Sequence, residues 1–204
     1  MMRKNCNDII QIGIDIDETI ANLFTPWLVW YNTRWKDNLK IKDIPWRIDQ
    51  VVKPECGKKI FDYLKLPNLY QYQCIQPLPG AVSAVKYLYK MKNVEVSFIT
   101  SASANIMGID SKIKWLFEYL PFAEPKDLII ANRKELIRFD YFIDDAPHNI
   151  LNYRKAWSSS KILTIAYPYN KDVEQHVNLR AKGYKNTVAA WKQIVEYIEE
   201  DLNV

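Results

Sequence analysis

A small set of side chains in this sequence could together handle a phosphate ester. Asp15 and Asp17 stand two residues apart at the end of the apolar run Ile9-Ile10-Gln11-Ile12-Gly13-Ile14. In an extended chain, residues i and i+2 project to the same side. The two carboxylates would therefore crowd each other, and like charges that close raise one pKa unless a cation compensates. Asp144 and Asp145 end a second apolar run, Phe139-Asp140-Tyr141-Phe142-Ile143, and Thr100 and Ser101 end a third, Val94 to Ile99. Clustered carboxylates suit a hard divalent cation such as Mg²⁺, which takes one or two of them together with waters and phosphate oxygens. With the repulsion relieved, one Asp can attack phosphorus, as carboxylate nucleophiles do. Its neighbour can protonate the leaving alkoxide and later take a proton from water. The hydroxyl of Thr100 and the ammonium of Lys134 can meet charge on the equatorial oxygens of the transferred group.

Each piece has a plainer use by itself. A lone Asp-x-Asp is most often an acidic turn, and Thr100 could cap a loop. Lys134 has neighbours of the same charge in Lys126, Arg133 and Arg138, and solvation is the default for any of them. The elements that carry these residues make the difference. Apolar periodicity predicts helices over Thr19 to Tyr31, Pro54 to Leu64, Ala81 to Met91, Ser111 to Leu120, Asn149 to Trp157 and a last one after the cap-like Asn186-Thr187. Between them run strands at Ile9–Ile14, Val94–Ile99, Asp127–Ala131, Phe139–Ile143 and Lys161–Ala166. Pro67-Asn68 breaks the second helix, and Pro77-Leu78-Pro79-Gly80 is a turn. Strands alternating with helices predict an α/β fold, a Rossmann-like parallel sheet with helices on both faces. In such sheets ligands bind beyond the carboxyl ends of the strands, and every polar group singled out above sits at or follows such an end. The mostly helical and aromatic segment 22–76 interrupts the alternation. It reads as a small helical cap inserted after the first strand, leaving 1–21 and 77–204 as the α/β core. Trp27, Trp30 and Trp35 within it suit packing better than recognition, whereas Trp46 lies in irregular sequence and suits either.

Asp15-Ile16-Asp17-Glu18-Thr19, Thr100, Lys134 and Asp144-Asp145, in that order and at strand ends, resemble the four motifs of the haloacid dehalogenase superfamily of phosphatases. Within it the chain is most similar to the 5′(3′)-deoxyribonucleotidases, through Pro77-Leu78-Pro79-Gly80-Ala81, the spacing of Lys134 to Asp144, and a helical cap containing Trp46. The resemblance implies a Mg²⁺-dependent phosphatase acting on small phosphate esters, deoxynucleoside monophosphates above all, through an aspartyl-phosphate. It implies Asp15 as nucleophile and metal ligand, and Asp17 as acid/base with its carbonyl on the metal. Thr100, Ser101 and Lys134 would hold the phosphate, and Asp145, with Asp144 beside it or in its place, would complete the metal site. Leu23, Trp46 and Arg47 would line the nucleoside pocket. A homodimer is also implied. Glu18 stands where that family commonly has Gly, and Arg47 where an apolar pocket residue is usual. A phosphorylatable receiver domain uses similar residues, but in another order and without the aromatic insertion. A non-catalytic nucleotide binder would have no use for both Asp15 and Asp17.

Composition limits the alternatives. At 204 residues, 49% hydrophobic and 25% charged, the chain reads as one soluble globular protein. A net charge of +4 steers an anionic substrate weakly, and no run of like charge suggests polymeric nucleic acid as a partner. Cys6, Cys56 and Cys74 are odd in number and irregularly spaced, which predicts neither a zinc knuckle nor a disulfide framework and fits a reduced, cytoplasmic setting. The basic N-terminus is followed by an apolar run broken by Asp15 and Asp17, so no signal peptide or membrane span is expected.

Overall fold

The computed structural model of the chain describes residues 9–66, 69–72, 75–102 and 106–203. Cys6, Cys74 and the predicted break at Pro67-Asn68 lie outside them, while Cys56 is a buried free thiol. β1 (Ile10–Ile14), β2 (Val94–Thr100), β3 (Leu128–Ile130), β4 (Tyr141–Ile143), β5 (Lys161–Ile165) and β6 (Leu179–Ala181) form one sheet. Its order is β3-β2-β1-β4-β5-β6 and every pairing is parallel. The predicted Rossmann-like α/β fold is therefore the fold observed.

β1 sits at the centre with both faces covered: its three isoleucines bury one side and Gly13 admits close packing on the other. Ile10, Ile12 and Ile14 face a core shared with α3 (Ala81–Lys90) and α6 (Thr187–Leu202). Ile99, Phe142 and Ile162 of the neighbouring strands face a smaller core with Ile150 and Tyr153 of α5 (Pro147–Ala156). Gly13 points to that second side. A Cβ there would lie 2.4 Å from the Phe139 ring, so only glycine lets Phe139 close against β1.

Chain order reverses about β1, with β2 on one side and β4 on the other. Ile14 lies beside Phe98 and Ile143, so the residues just beyond β1 and β4 emerge next to each other. In open α/β sheets this switch point is where a crevice forms.

Several element bounds differ from those predicted. α1 runs Phe24–Trp35 and begins later than Thr19, because residues 16–21 make a tight turn. In it, Ile20 and Ala21 both donate to the Ile16 carbonyl and Glu18 takes a left-handed φ of 51°. The predicted helix over Pro54 to Leu64 is a 3₁₀ stretch, Gly57–Lys65, entered through a turn at Gly57 with φ 47°. α4 begins earlier, at Ile106, and ends at Tyr119. A short helix, α2, spans Leu69–Tyr72. β6 was not predicted: Leu-Arg-Ala at a sheet edge carries neither alternation nor an apolar run. Asn186 precedes α6 as expected, yet its side chain makes no cap hydrogen bond.

Between β1 and α3 the aromatic residues pack mainly on one another. Trp27 stacks between Phe24 and Tyr63, Trp30 meets Tyr63 and Trp35, and the Trp27 indole donates to the Ile60 carbonyl at 2.9 Å. Trp30 and Trp35 are thus packing residues. Among the described residues, no helix is long and apolar enough to cross a membrane.

Candidate active site

Asp15 follows β1 directly, and its amide donates to the Ile143 carbonyl at 2.9 Å. That bond fixes Asp15 beside Asp144 and Asp145, which follow β4. All three acids are buried, and one carboxylate oxygen from each lies within 4.8 Å of the others. Lys134 reaches this group from the turn before β4. Its ammonium is 2.6 Å from Asp15 Oδ1 and 2.7 Å from Asp144 Oδ2, with only 2% of the side chain exposed. Burial alone would lower that ammonium, but Asp144 and Asp15 outweigh it and hold it above the ordinary lysine value. Burial pushes the Asp15 carboxyl up to about 7; Lys134 opposes the rise, and Asp144 and Asp17 add to it. Asp145 is held well above the usual range by burial, with Asp144 and Asp15 adding.

The paired acids differ in their partners. Asp144 accepts from Lys134, from the Ala146 amide at 2.8 Å and from the Asn149 side chain at 3.0 and 3.2 Å. Asp145 accepts from the Tyr169 hydroxyl at 2.6 Å through Oδ2. The backbone carbonyl of Asp145 is held by the Asn170 side chain at 3.1 Å.

Asp17 and Thr100 form a second group, joined by a lysine that the sequence reading missed. Lys112 Nζ donates to Asp17 Oδ2 at 2.7 Å and to Thr100 Oγ at 3.1 Å. A signal for it exists in the sequence. Lys112 lies on the helix stripe of Leu116 and Leu120, both fully buried, and a lysine in such a stripe needs an internal partner. Glu18, also singled out, is buried and accepts from the Phe24 amide at 2.5 Å. Its carboxylate thereby occupies the N-terminus of α1, where the helix dipole favours negative charge. Burial nonetheless pushes the Glu18 carboxyl up to about 8.

These groups floor a cavity of about 310 Å³, within the range of small-molecule sites. Asp15, Asp17, Ser101, Lys134 and Asp145 line it, together with Leu23, Phe24, Trp27, Trp46, Arg47 and Phe61. Of the residues predicted from sequence, Thr100 touches the site through Lys112, and Asp144 through Lys134. Trp46 is 41% exposed, with its ring 5.1 Å from His148 and 5.8 Å from Tyr169. Arg47 makes a bidentate pair with Asp49 at 3.0 and 2.9 Å. Phe24, Phe61, His148, Asn149 and Tyr169 were not predicted for the site. They come from α1, the 3₁₀ stretch, α5 and the loop after β5, and only the tertiary fold unites them.

A parallel sheet ordered 3-2-1-4-5-6, with acids at the carboxyl ends of its two central strands, is the architecture of haloacid dehalogenase-like hydrolases. Solved structures agree on the fold. A haloacid dehalogenase-like protein from Agrobacterium tumefaciens superposes with a TM-score of 0.56 at 11% identity, covering 93% of this chain and 99% of its own. A hydrolase of the same kind from Xanthomonas campestris gives 0.51 at 12% identity, covering 98% and 97%.

Residues 7–195 match the family described as "5' nucleotidase, deoxy (Pyrimidine), cytosolic type C protein", and the chain belongs to that family. A 5'(3')-deoxyribonucleotidase of Clostridium acetobutylicum is 36% identical over 188 residues, covering 92% of this chain and 97% of the relative. One of Bacillus subtilis is 28% identical over 169 residues, covering 82% and 91%. The protein is an enzyme, a phosphoric monoester hydrolase.

Proposed function

We propose that this protein hydrolyses deoxynucleoside monophosphates, using a divalent cation, Mg²⁺, and Asp15 as nucleophile. The observation that carries the reading is that Asp15 and Asp17 line one cavity together with apolar and aromatic side chains, Leu23, Phe24, Trp27, Trp46 and Phe61. That suits an ester with a charged phosphate and a flat base. The named relatives are 5'(3')-deoxyribonucleotidases, which supports the same substrate class.

The donor set fits the cation. Three buried carboxylates within 4.8 Å of one another are hard oxygen donors, and so many cannot all ionise without added positive charge. Asp15 and Asp145 would hold it, with the Asp17 carbonyl. Asp144 has spent its oxygens on Lys134, Ala146 and Asn149, and its part is to fix Lys134. When bound, the cation neutralises charge on a phosphoryl oxygen.

The residues then divide the work. An Asp15 oxygen attacks phosphorus as the bond to the leaving oxygen breaks, leaving an aspartyl-phosphate. Asp17 gives its proton to the departing alkoxide. Water next attacks phosphorus, Asp17 takes its proton, and the Asp15–phosphorus bond breaks to release phosphate. Lys134 keeps Asp15 from repelling the incoming anion. Thr100 and Ser101 donate to the phosphoryl oxygens. Leu23 and Trp46 receive the nucleoside, with Arg47 at the cavity wall already satisfied by Asp49. Residues 22–76 act as the cap over the core.

A panel of phosphate esters assayed with Mg²⁺ and with a chelator tests the reading. Deoxynucleoside monophosphates should be cleaved best, chelation should abolish turnover, and Asp15→Asn should be inactive. Turnover that survives chelation defeats the mechanism, and a wide preference for sugar phosphates defeats the substrate class.

A further inference from the structure

We propose that Lys112 is the residue that positions Asp17 and Thr100 for their separate tasks. The inference rests on the reading of Asp17 as the proton donor. Lys112 is 6% exposed, and its ammonium has three neighbours. Asp17 Oδ2 lies 2.7 Å away, Thr100 Oγ 3.1 Å away, and the centre of the Tyr70 ring 5.3 Å away.

Each contact has a chemical consequence. Oδ2 of Asp17 is occupied, whereas Oδ1 is buried and has no hydrogen-bond partner among the described residues. An orphaned carboxylate oxygen is costly to bury, so among the described residues the bond from Lys112 is what fixes this carboxylate at the cavity. The proton passes from Asp17 to the leaving oxygen as the ester bond breaks, and only a carboxyl held in place meets that oxygen in line. At Thr100, the hydroxyl oxygen accepts from Lys112, so its own hydrogen is directed away from Lys112 and is free to donate to a phosphoryl oxygen. The third contact brings in residues 22–76. Tyr70 lies in that segment and presents its face to the ammonium, within the range of a cation–π interaction, while its ring edge packs on Trp115 of α4. Lys112 thus links the inserted segment, the proton donor and a phosphate ligand through one atom. Lys134 cannot take over this part, since its ammonium is engaged by Asp15 and Asp144.

Leaving-group dependence separates this role from general support of the fold. The quantity to measure is kcat/KM for a deoxynucleoside monophosphate, whose alkoxide needs a proton, and for p-nitrophenyl phosphate, whose phenolate does not. Lys112→Met should lower the first by about 10- to 100-fold, a fraction of what a general acid contributes, and the second by less than about 3-fold. The inhibition constant of inorganic phosphate should rise by no more than about 3-fold as Thr100 loses its orientation, in step with the second ester. Lys112→Arg, which keeps a buried cation donor, should recover part of the selective loss. If Lys112→Met does not fold, Lys112→Gln serves in the same comparison. Equal losses on both esters, or none on either, overturn the inference. A wild-type enzyme inert toward nucleotides but active on other esters would defeat the proposed substrate and leave Lys112 testable on an alkyl phosphate.

Discussion

Removing Lys134 should destabilise the protein in a way that grows with pH. Its ammonium is shared between Asp15 and Asp144, at 2.6 and 2.7 Å. In Lys134→Met, Asp144 still accepts from Ala146 and Asn149, so its loss is that of one charge-assisted hydrogen bond, about 1–3 kcal/mol. Asp15 behaves differently. Its folded-state carboxyl already titrates at about 7, and without the ammonium it moves higher still. A carboxyl raised on folding favours the native state fully below its unfolded value, about 3.9, and that advantage drains away as pH climbs through the folded value. In the wild type the drain is complete just above pH 7. In the variant it continues to higher pH, at up to about 1.4 kcal/mol per pH unit, so the variant should lose more stability than the wild type as pH rises from 7 to 9. Lys134 itself stays charged in both states over this range, so its own titration adds no slope. Urea unfolding in the presence of a chelator at pH 6, 7, 8 and 9 measures the difference directly. A destabilisation that is the same at pH 6 and pH 9 would refute the coupling of Lys134 to Asp15. Mg²⁺ should restore more stability to the variant than to the wild type at pH 8, because the cation supplies the missing charge.

Three further outcomes are expected. Gly13→Ala places a methyl group 2.4 Å from the Phe139 ring and should cost about 1–3 kcal/mol by overpacking; an unchanged urea midpoint would mean that Phe139 moves aside freely. Tyr169→Phe removes the 2.6 Å donor to Asp145 and should weaken the apparent Mg²⁺ affinity about 10-fold, read by calorimetry; unaltered affinity would take Asp145 out of the metal site. Trp46→Ala should raise KM for nucleotides about 10-fold, in line with the value of base stacking on an aromatic ring, while leaving inhibition by inorganic phosphate alone; a parallel change in both would make Trp46 structural.

The sequence revealed the residues that sit on regular backbone. Asp15, Thr100, Asp144 and Asp145 are legible because each ends an apolar run, and parallel order carries all such ends to one edge of the sheet. Lys134 was singled out by its distance from Asp144 together with the family resemblance, and the turn that carries it buries it between two acids. What escaped were partners brought in by tertiary packing. Asn149 holds Asp144 from the first turn of α5, and Tyr169 holds Asp145 from beyond β5. Neither shows any local pattern that marks it. Lys112 was hidden by the ordinary expectation that a lysine on a helix is solvated, although its place on the Leu116–Leu120 stripe contradicted it. Helix α1 was predicted too early because Thr19 and Ile20 continue an apolar periodicity, whereas the backbone there turns tightly and Glu18 supplies the cap from six residues away.

The turn that carries Asp17 is fastened from far along the chain. The Trp191 indole donates to the Thr19 carbonyl at 3.2 Å, and the Thr187 hydroxyl to the Pro79 carbonyl at 2.8 Å. Pairing of this span has consequences during synthesis, which proceeds from the N-terminal side. β1 emerges early, but β4, its partner on one side, and the helix that pins its catalytic turn emerge long afterwards. A nascent chain lacking α6 has the local bonds of this turn but not the Trp191 and Thr187 bonds that tie it and Pro79 to the last helix. The final shape of the site therefore depends on contacts of long sequence separation, which close only after the last helix has been made.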